Sequence, residues 1–383
     1  MKRLSTIMLL SLIILSAAGP DDVSAQYNHW YPRWDQWYNM NRIEPKGYVC
    51  YRADIPVTID GKLDDEAWRL IPWTDNFVDI EGDVKTAPRM RTQVKMVWDD
   101  TYFYVAADME DRHVWATLTN HDDIIYLDND FEIFIDPDAD NHMYYELEIN
   151  ALNTVWDLML NIPYRDGGER IMDWSVPGLK TAVTVNGTLN DPSDNDRGWS
   201  VEFAIPWDVL AEYANRPSPP REGDQWRVNF SRVEYQPEVQ LADNVRLRGE
   251  TRTDKDKGTR GENWVWSPQG VINMHCPEMW GYVQFTYGKP NTVAFRPNPE
   301  QPIRSILHGI YYTQYDFRDR HDRWASSLDE LALYNINHEY LAEPPAITLT
   351  PDGFIVTAKA IMPGGRTATM SIAQDSKVTV VYQ

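Results

Sequence analysis

Residues 128–150 read DNDFEIFIDPDADNHMYYELEIN, and their alternation constrains the fold more than any other stretch. Side chains on a β-strand point to opposite faces in turn, so Phe131, Ile133 and Ile135 share one face, while Asp130, Glu132, Phe134 and Asp136 share the other. The same parity sets Leu147 and Ile149 inward and Glu146, Glu148 and Asn150 outward. If the two strands pair through the loop Asp136–His142, the carboxylates line one sheet face. Like charges opposite one another are unfavourable, so that face calls for a compensating partner.

Short alternating runs separated by turn signals recur from Tyr48 to Tyr287, as in TQVKMVWDDTYFYVAADM, GWSVEFAI and DQWRVNFSRVEY. Asp99-Asp100 supplies a tight turn between two of them. The pattern predicts an all-β antiparallel sandwich over residues 48–288. A proline-dense linker follows at 289–302, and then the period changes. Ile303, Ile306, Leu307, Ile310, Tyr311 and Phe317 keep helical spacing, SSLDEL reads as a capped helical turn, and four strand candidates close the chain. Residues 303–383 are therefore expected to form a small α+β unit.

At the other end, Lys2 and Arg3 precede an apolar run that finishes in Val23-Ser24-Ala25, the layout of a secretory signal peptide over residues 1–25. The protein is thus expected to be secreted, periplasmic or on the cell surface, with no membrane span. Residues 26–47, QYNHWYPRWDQWYNMNRIEPKG, hold Trp, Tyr and Asn without a clear period and read as an extended aromatic arm. The two cysteines, Cys50 and Cys276, are expected to pair as a disulfide in an oxidising compartment.

A formal net charge of −22 excludes nucleic acid as a partner and leaves cations and neutral ligands. Three readings of the acidic strands compete: a solvated sheet face, a calcium site at Asp136, Asp138 and Asp140, and a sugar site in which carboxylates bond hydroxyls beside stacking Trp. The loop is not an EF-hand, because Asn141 takes the place of the turn glycine and Leu147 that of the closing glutamate. A glycoside hydrolase using a carboxylate pair is the catalytic alternative. The scattered histidines form no HExxH helix, and Ser231 and Ser267 lack a nucleophile elbow.

VTIDGKLDDEAW, KMVWDDTYFYVAADMED, DNDFEIFIDPDAD, YYELEINALNTVWD, GWSVEFAIPWDVL, DQWRVNFSRVE and WGYVQF occur in that order between Val57 and Phe285. Together they resemble the family 9 carbohydrate-binding modules, in particular stand-alone exported family 9-like proteins. The resemblance implies a two-sheet sandwich that holds a poly- or oligosaccharide without cleaving it, often with structural calcium. It also implies a clamp of two Trp side chains. Trp115 stands at one clamp position, Met274 at the other, where with His275 it would present a softer, flatter wall to the sugar, and Glu148 where an arginine is expected. Asp130, Glu132 and Asn150 would bond hydroxyls, with Glu148 beside them, and Arg232 would add a donor or pair with the acidic face. Related sandwich domains bind haem b through Met with His or Lys, so Met274 and His275 make a haem electron-transfer domain the other alternative, ranked below sugar for want of a second matching ligand. The C-terminal unit faintly resembles the globular part of pilin-like proteins and is a candidate protein-docking module.

Overall fold

The computed structural model describes residues 34–171, 174–191, 193–235 and 261–383, with the backbone of 239–242 and 245–248. The expected signal peptide and residues 26–33 of the arm lie outside the described residues. The strands are β1 (Gly47–Arg52), β2 (Val78–Asp79), β3 (Thr92–Trp98), β4 (Tyr102–Met109), β5 (Asp130–Asp136), β6 (Tyr144–Asn150), β7 (Val155–Leu160), β8 (Arg170–Ile171), β9 (Lys180–Asn186), β10 (Gly198–Pro206) and β11 (Gln225–Glu234). They continue with β12 (Val239–Ala242), β13 (Val245–Arg248), β14 (Glu262–Val265), β15 (Gly281–Thr286), β16 (Ala346–Leu349), β17 (Phe354–Ile361), β18 (Thr367–Ala373) and β19 (Val378–Tyr382).

The order β8-β7-β6-β5-β11-β15 forms one layer and β3-β4-β10-β9 the other. Between them pack Phe131, Ile133, Ile135, Leu147, Ile149, Val228 and Phe230 from the first layer and Met96, Phe103, Val105, Val201 and Phe203 from the second. β1 joins the layers and departs from the expected antiparallel pattern. It runs parallel to β15 through Gly47–Tyr51 and parallel to β3 through Tyr51 and Arg52, so it turns the corner of the sandwich. The Asp99 turn closes as read, its carboxylate accepting from the N–H groups of Thr101 (2.7 Å) and Tyr102 (2.8 Å).

The arm is not wholly extended. Residues Trp34–Met40 form helix α1, and Trp37 and Met40, three positions apart on one helix face, are buried. They enter a cluster with Ile303, Leu307, Ile310 and Tyr311 of helix α2 (Gln301–His321), with Val356 and Met370 of the C-terminal sheet, and with Val271, Cys276 and Met279 of the sandwich. A seven-residue helix has little stability of its own, so its partners decide its shape. Gly309 makes the crossing: a Cβ there would sit 2.9 Å from Trp37 Nε1.

The proline-rich segment is likewise fixed along the sandwich. Gln284 Nε2 donates to the Ala294 carbonyl (3.3 Å), Arg296 N–H donates to Gln284 Oε1 (2.9 Å), and Phe295 lies where a Cβ on Gly47 would be 2.3 Å away. Beyond it, β16-β17-β18-β19 form the expected antiparallel sheet on α2. The SSLDEL stretch closes as a turn, not a helix, with Ser326 N–H donating to Glu330 Oε2 (2.6 Å).

The predicted Cys50–Cys276 disulfide is corrected: both thiols are free and buried. Cys50 packs between the layers and Cys276 in the cluster shared with α1 and α2, so each fills a different core. Burial pushes both thiols well above their ordinary pKa. A thiol reagent should therefore label neither cysteine in the native protein and both in denaturant, and intact mass should be unchanged by reductant. A two-dalton gain on reduction would contradict this.

Candidate functional site

The hairpin β5–β6 pairs Asp130 with Asn150, Glu132 with Glu148 and Phe134 with Glu146. The alternation read from the sequence thus places Asp130, Glu132, Glu146 and Glu148 together on the outer face of the first layer. That face is not solvated: the four residues are 0%, 4%, 4% and 1% exposed. An apolar rim surrounds them, formed by Ile125, Phe134, Tyr144, Trp156, Leu158, Tyr164, Met274 and Trp280.

Oxygens of Asp130, Glu132 and Glu148 come within 4.8 Å of one another. Two carboxylates about 4 Å apart repel by roughly 4 kcal/mol at an effective dielectric of 20. Burial accordingly pushes Asp130 well up, with Glu132 adding to it, and pushes Glu146 and Glu148 well up in the same way. Glu132 is raised by burial to about 7, the Ser231 hydroxyl opposing. Protein donors reach these groups sparsely. Val233 N–H donates to Asp130 Oδ1 (2.9 Å) and Tyr126 N–H to Glu148 Oε2 (2.9 Å), while Asp130 Oδ2 and Glu146 Oε2 are buried without a hydrogen-bond partner.

Trp156, which the sequence reading passed over, stands directly across from Glu148 in the β6–β7 register. Tyr126 lies 6.2 Å from its ring and the Arg170 guanidinium 5.4 Å from it, both half-buried. Extending the alternation through VWDLML would have put Trp156 on the carboxylate face, but only if the β6–β7 register were known.

The other expected site residues are placed as follows. Asn150 donates to the Leu118 carbonyl (2.9 Å) and Asp128 (3.1 Å) and accepts from Leu152 and Thr154 N–H groups, so its amide is committed to holding the 115–118 segment and its own turn. Trp115, half-buried, is carried on that segment, which Asp128 anchors through Thr117 and Leu118. Arg232 is corrected: its parity points it between the layers, where it donates to Thr92 (3.1 Å), the Glu110 carbonyl (2.7 Å) and Glu234 (2.8 Å), away from the acidic face. Met274 packs in the apolar rim. His275 Nδ1 meets the Tyr144 hydroxyl at 3.0 Å, and burial, with Arg165 and Arg170, lowers its pKa to about 3, so the ring is neutral.

The Asp136–Asp140 loop is a close cluster too, and protein donors reach each of its three carboxylates. Asp136 accepts from Ala139 and Asn141 N–H groups (2.9 Å each), Asp138 from Asn215 (2.9 Å) and Asp140 from His142 N–H (2.8 Å), and Lys377 Nζ lies 3.3 Å from Asp140. One ammonium stands against three carboxylates here, and burial, with Asp138 and Asp140 adding to it, pushes Asp136 well above its ordinary pKa. The loop faces the C-terminal unit: Asn141 donates to the Ser376 carbonyl (2.9 Å) and Arg304 to the Ala139 carbonyl.

Residues 59–286 match the family described as carbohydrate family 9 binding domain-like. The chain belongs to that family. Among curated relatives of this carbohydrate family 9 domain, exoglucanase XynX of Acetivibrio thermocellus is 30% identical over 149 residues and endo-1,4-beta-xylanase A of Thermoanaerobacterium saccharolyticum 29% identical over 149 residues. In each case 39% of this chain aligns with 11% of the relative, so the similarity touches a small part of those proteins. A solved family 9 module from Caldicellulosiruptor kristjanssonii, in complex with cellotriose, aligns at 18% identity over 66% of this chain and 100% of that one, with a TM-score of 0.39. The same module with glucose aligns at 17% identity over 65% and 99%, with a TM-score of 0.40.

Proposed function

We propose that this family 9 protein is an exported, non-catalytic carbohydrate-binding protein that holds a poly- or oligosaccharide on the outer face of β5, β6 and β7 and so serves carbohydrate breakdown. Membership of the family across residues 59–286 carries the reading. The conjunction of aromatic rings with buried acceptors on one face supports it. Tyr126 and Arg170 are half-buried over Trp156, with Glu132 and Glu148 beside it as the floor, and Trp115 stands half-buried on the 115–118 segment that Asn150 ties to the same hairpin. No described helix is long and apolar enough to cross a membrane.

The relatives' names direct the first ligands to β-1,4-linked glucan and xylan fragments. Calorimetry with cellotriose and xylo-oligosaccharides, together with pull-down on insoluble polysaccharide, should show binding that weakens about tenfold in Trp156→Ala, which removes the floor under Tyr126 and Arg170, a loss of about 1.4 kcal/mol. Trp115→Ala tests the second ring. Binding unchanged in both variants would place the sugar elsewhere, and a folded wild type that retains no glycan would overturn the reading.

A further inference from the structure

We propose that the floor of the β5–β6 face is a divalent-cation site, with Asp130, Glu132 and Glu148 as the ligands of one calcium-sized ion. Three observations converge. First, oxygens of the three residues lie within 4.8 Å of one another, the range over which one calcium-sized ion with bonds of about 2.3–2.6 Å can draw ligands together. Second, the set is hard and anionic and is held on paired strands. Glu132 and Glu148 are cross-strand partners and Asp130 is two residues along, so the backbone fixes the geometry without a loop having to close. Third, Asp130 Oδ2 and Glu146 Oε2 are buried, with no donor on them, at the edge of the same cluster. A buried acceptor without a partner is rare in a folded protein, and an ion satisfies it at no further cost in packing.

The charges around the site agree. Glu146 and Asp128 add negative potential, the latter already bonded to Thr117 and Leu118. Arg170 opposes at Glu146 from its place beside Trp156. In the Asp136–Asp140 loop Lys377, Asn215 and backbone N–H groups reach all three carboxylates, whereas on this face Asp130 Oδ2 and Glu146 Oε2 are buried without a partner.

The test is a calcium titration of the chelator-stripped full chain, without glycan, so that its outcome is independent of sugar binding. Wild type and Asp138→Asn should each take up one ion, with a matching rise in melting temperature. Glu148→Gln and Asp130→Asn should lose at least tenfold in affinity. If those variants fold poorly, terbium in wild type gives a second readout. Trp156 beside Glu148 should sensitise its emission, calcium should displace it, and Trp156→Phe should dim it. Uptake lost in Asp138→Asn but unchanged in Glu148→Gln would move the ion to the loop and overturn the proposal, as would a wild type that takes up none or a terbium signal indifferent to Trp156.

Discussion

Replacing Arg165 by alanine is expected to destabilise the whole protein by about 3–5 kcal/mol, the usual cost of removing one partner from a buried ion pair. Arg165 is fully buried where sandwich and C-terminal unit meet. Its guanidinium reaches Glu278 (3.0 Å) and Asp166 (3.4 Å), and these carboxylates are bonded in turn by the Tyr312 and Tyr311 hydroxyls of α2 and by Ser376 (2.7 Å). Without the cation, two carboxylates are stranded in a dry interface. Denaturant unfolding followed by far-ultraviolet circular dichroism, and by fluorescence of the sandwich tryptophans, should show both signals moving together to lower midpoint. A loss below about 1 kcal/mol, or movement of only one signal, would show that the interface does not couple the two parts. Arg165→Met is the informative companion, because it keeps much of the packing while removing the charge and its donors to Glu278 and the His275 carbonyl.

The second large effect is in pH. Burial holds Glu132 and Glu234 at about 7 and Asp166 at about 6, all above ordinary carboxylates. A carboxyl raised in the folded state stays protonated there after it has ionised in the unfolded chain. Its contribution is present below the unfolded pKa, near 4, and is lost as pH rises through the folded value. His275 and His308, held by burial at about 3 and about 4, oppose this below about pH 6.5, because they protonate first in the unfolded chain, so the metal-free protein should be most stable in mild acid, at about pH 5–6, and weaken toward pH 8. The order of magnitude is 3 kcal/mol for each of Glu132 and Glu234, taken as two to three pKa units at 1.36 kcal/mol each. Melting temperatures across pH 5–8 in chelator check the sign. A curve that rises toward pH 8 would mean that the carboxylates are already balanced in the apo protein. Glu132→Gln should flatten the slope.

Much of this was legible along the chain, and the reasons for the misses are specific. Phe131, Ile133 and Ile135 against Asp130, Glu132 and Asp136 could be sorted because a strand's period is two and one face needed a core. The four C-terminal strands were bracketed by their turns in the same way. Helix α1 was not legible, since seven residues carry too little helical signal and its burial depends on α2, more than 260 positions away. Arg232 failed for a simpler reason: its parity with Phe230 and Val228 was in the sequence, but the expectation of a donor for the acidic face overrode it. The depth of the carboxylates was also unreadable, because alternation tells which face a residue takes and nothing about what lies over it. The Arg165 network joins residues 113 and 210 positions apart and has no local signature at all.

Trp37 packs on α2 and shares a core with Met370, so one of the earliest described residues waits for one of the last. Synthesis delivers the chain from its N-terminus, and the sandwich strands all emerge before residue 301. Until α2 arrives, Val271, Cys276 and Met279 form an open apolar flank, and α1 has nothing to fold against. A half-made chain is thus a sticky intermediate with a missing wall, and the protein's exposure to aggregation is set by how quickly its final eighty or so residues follow.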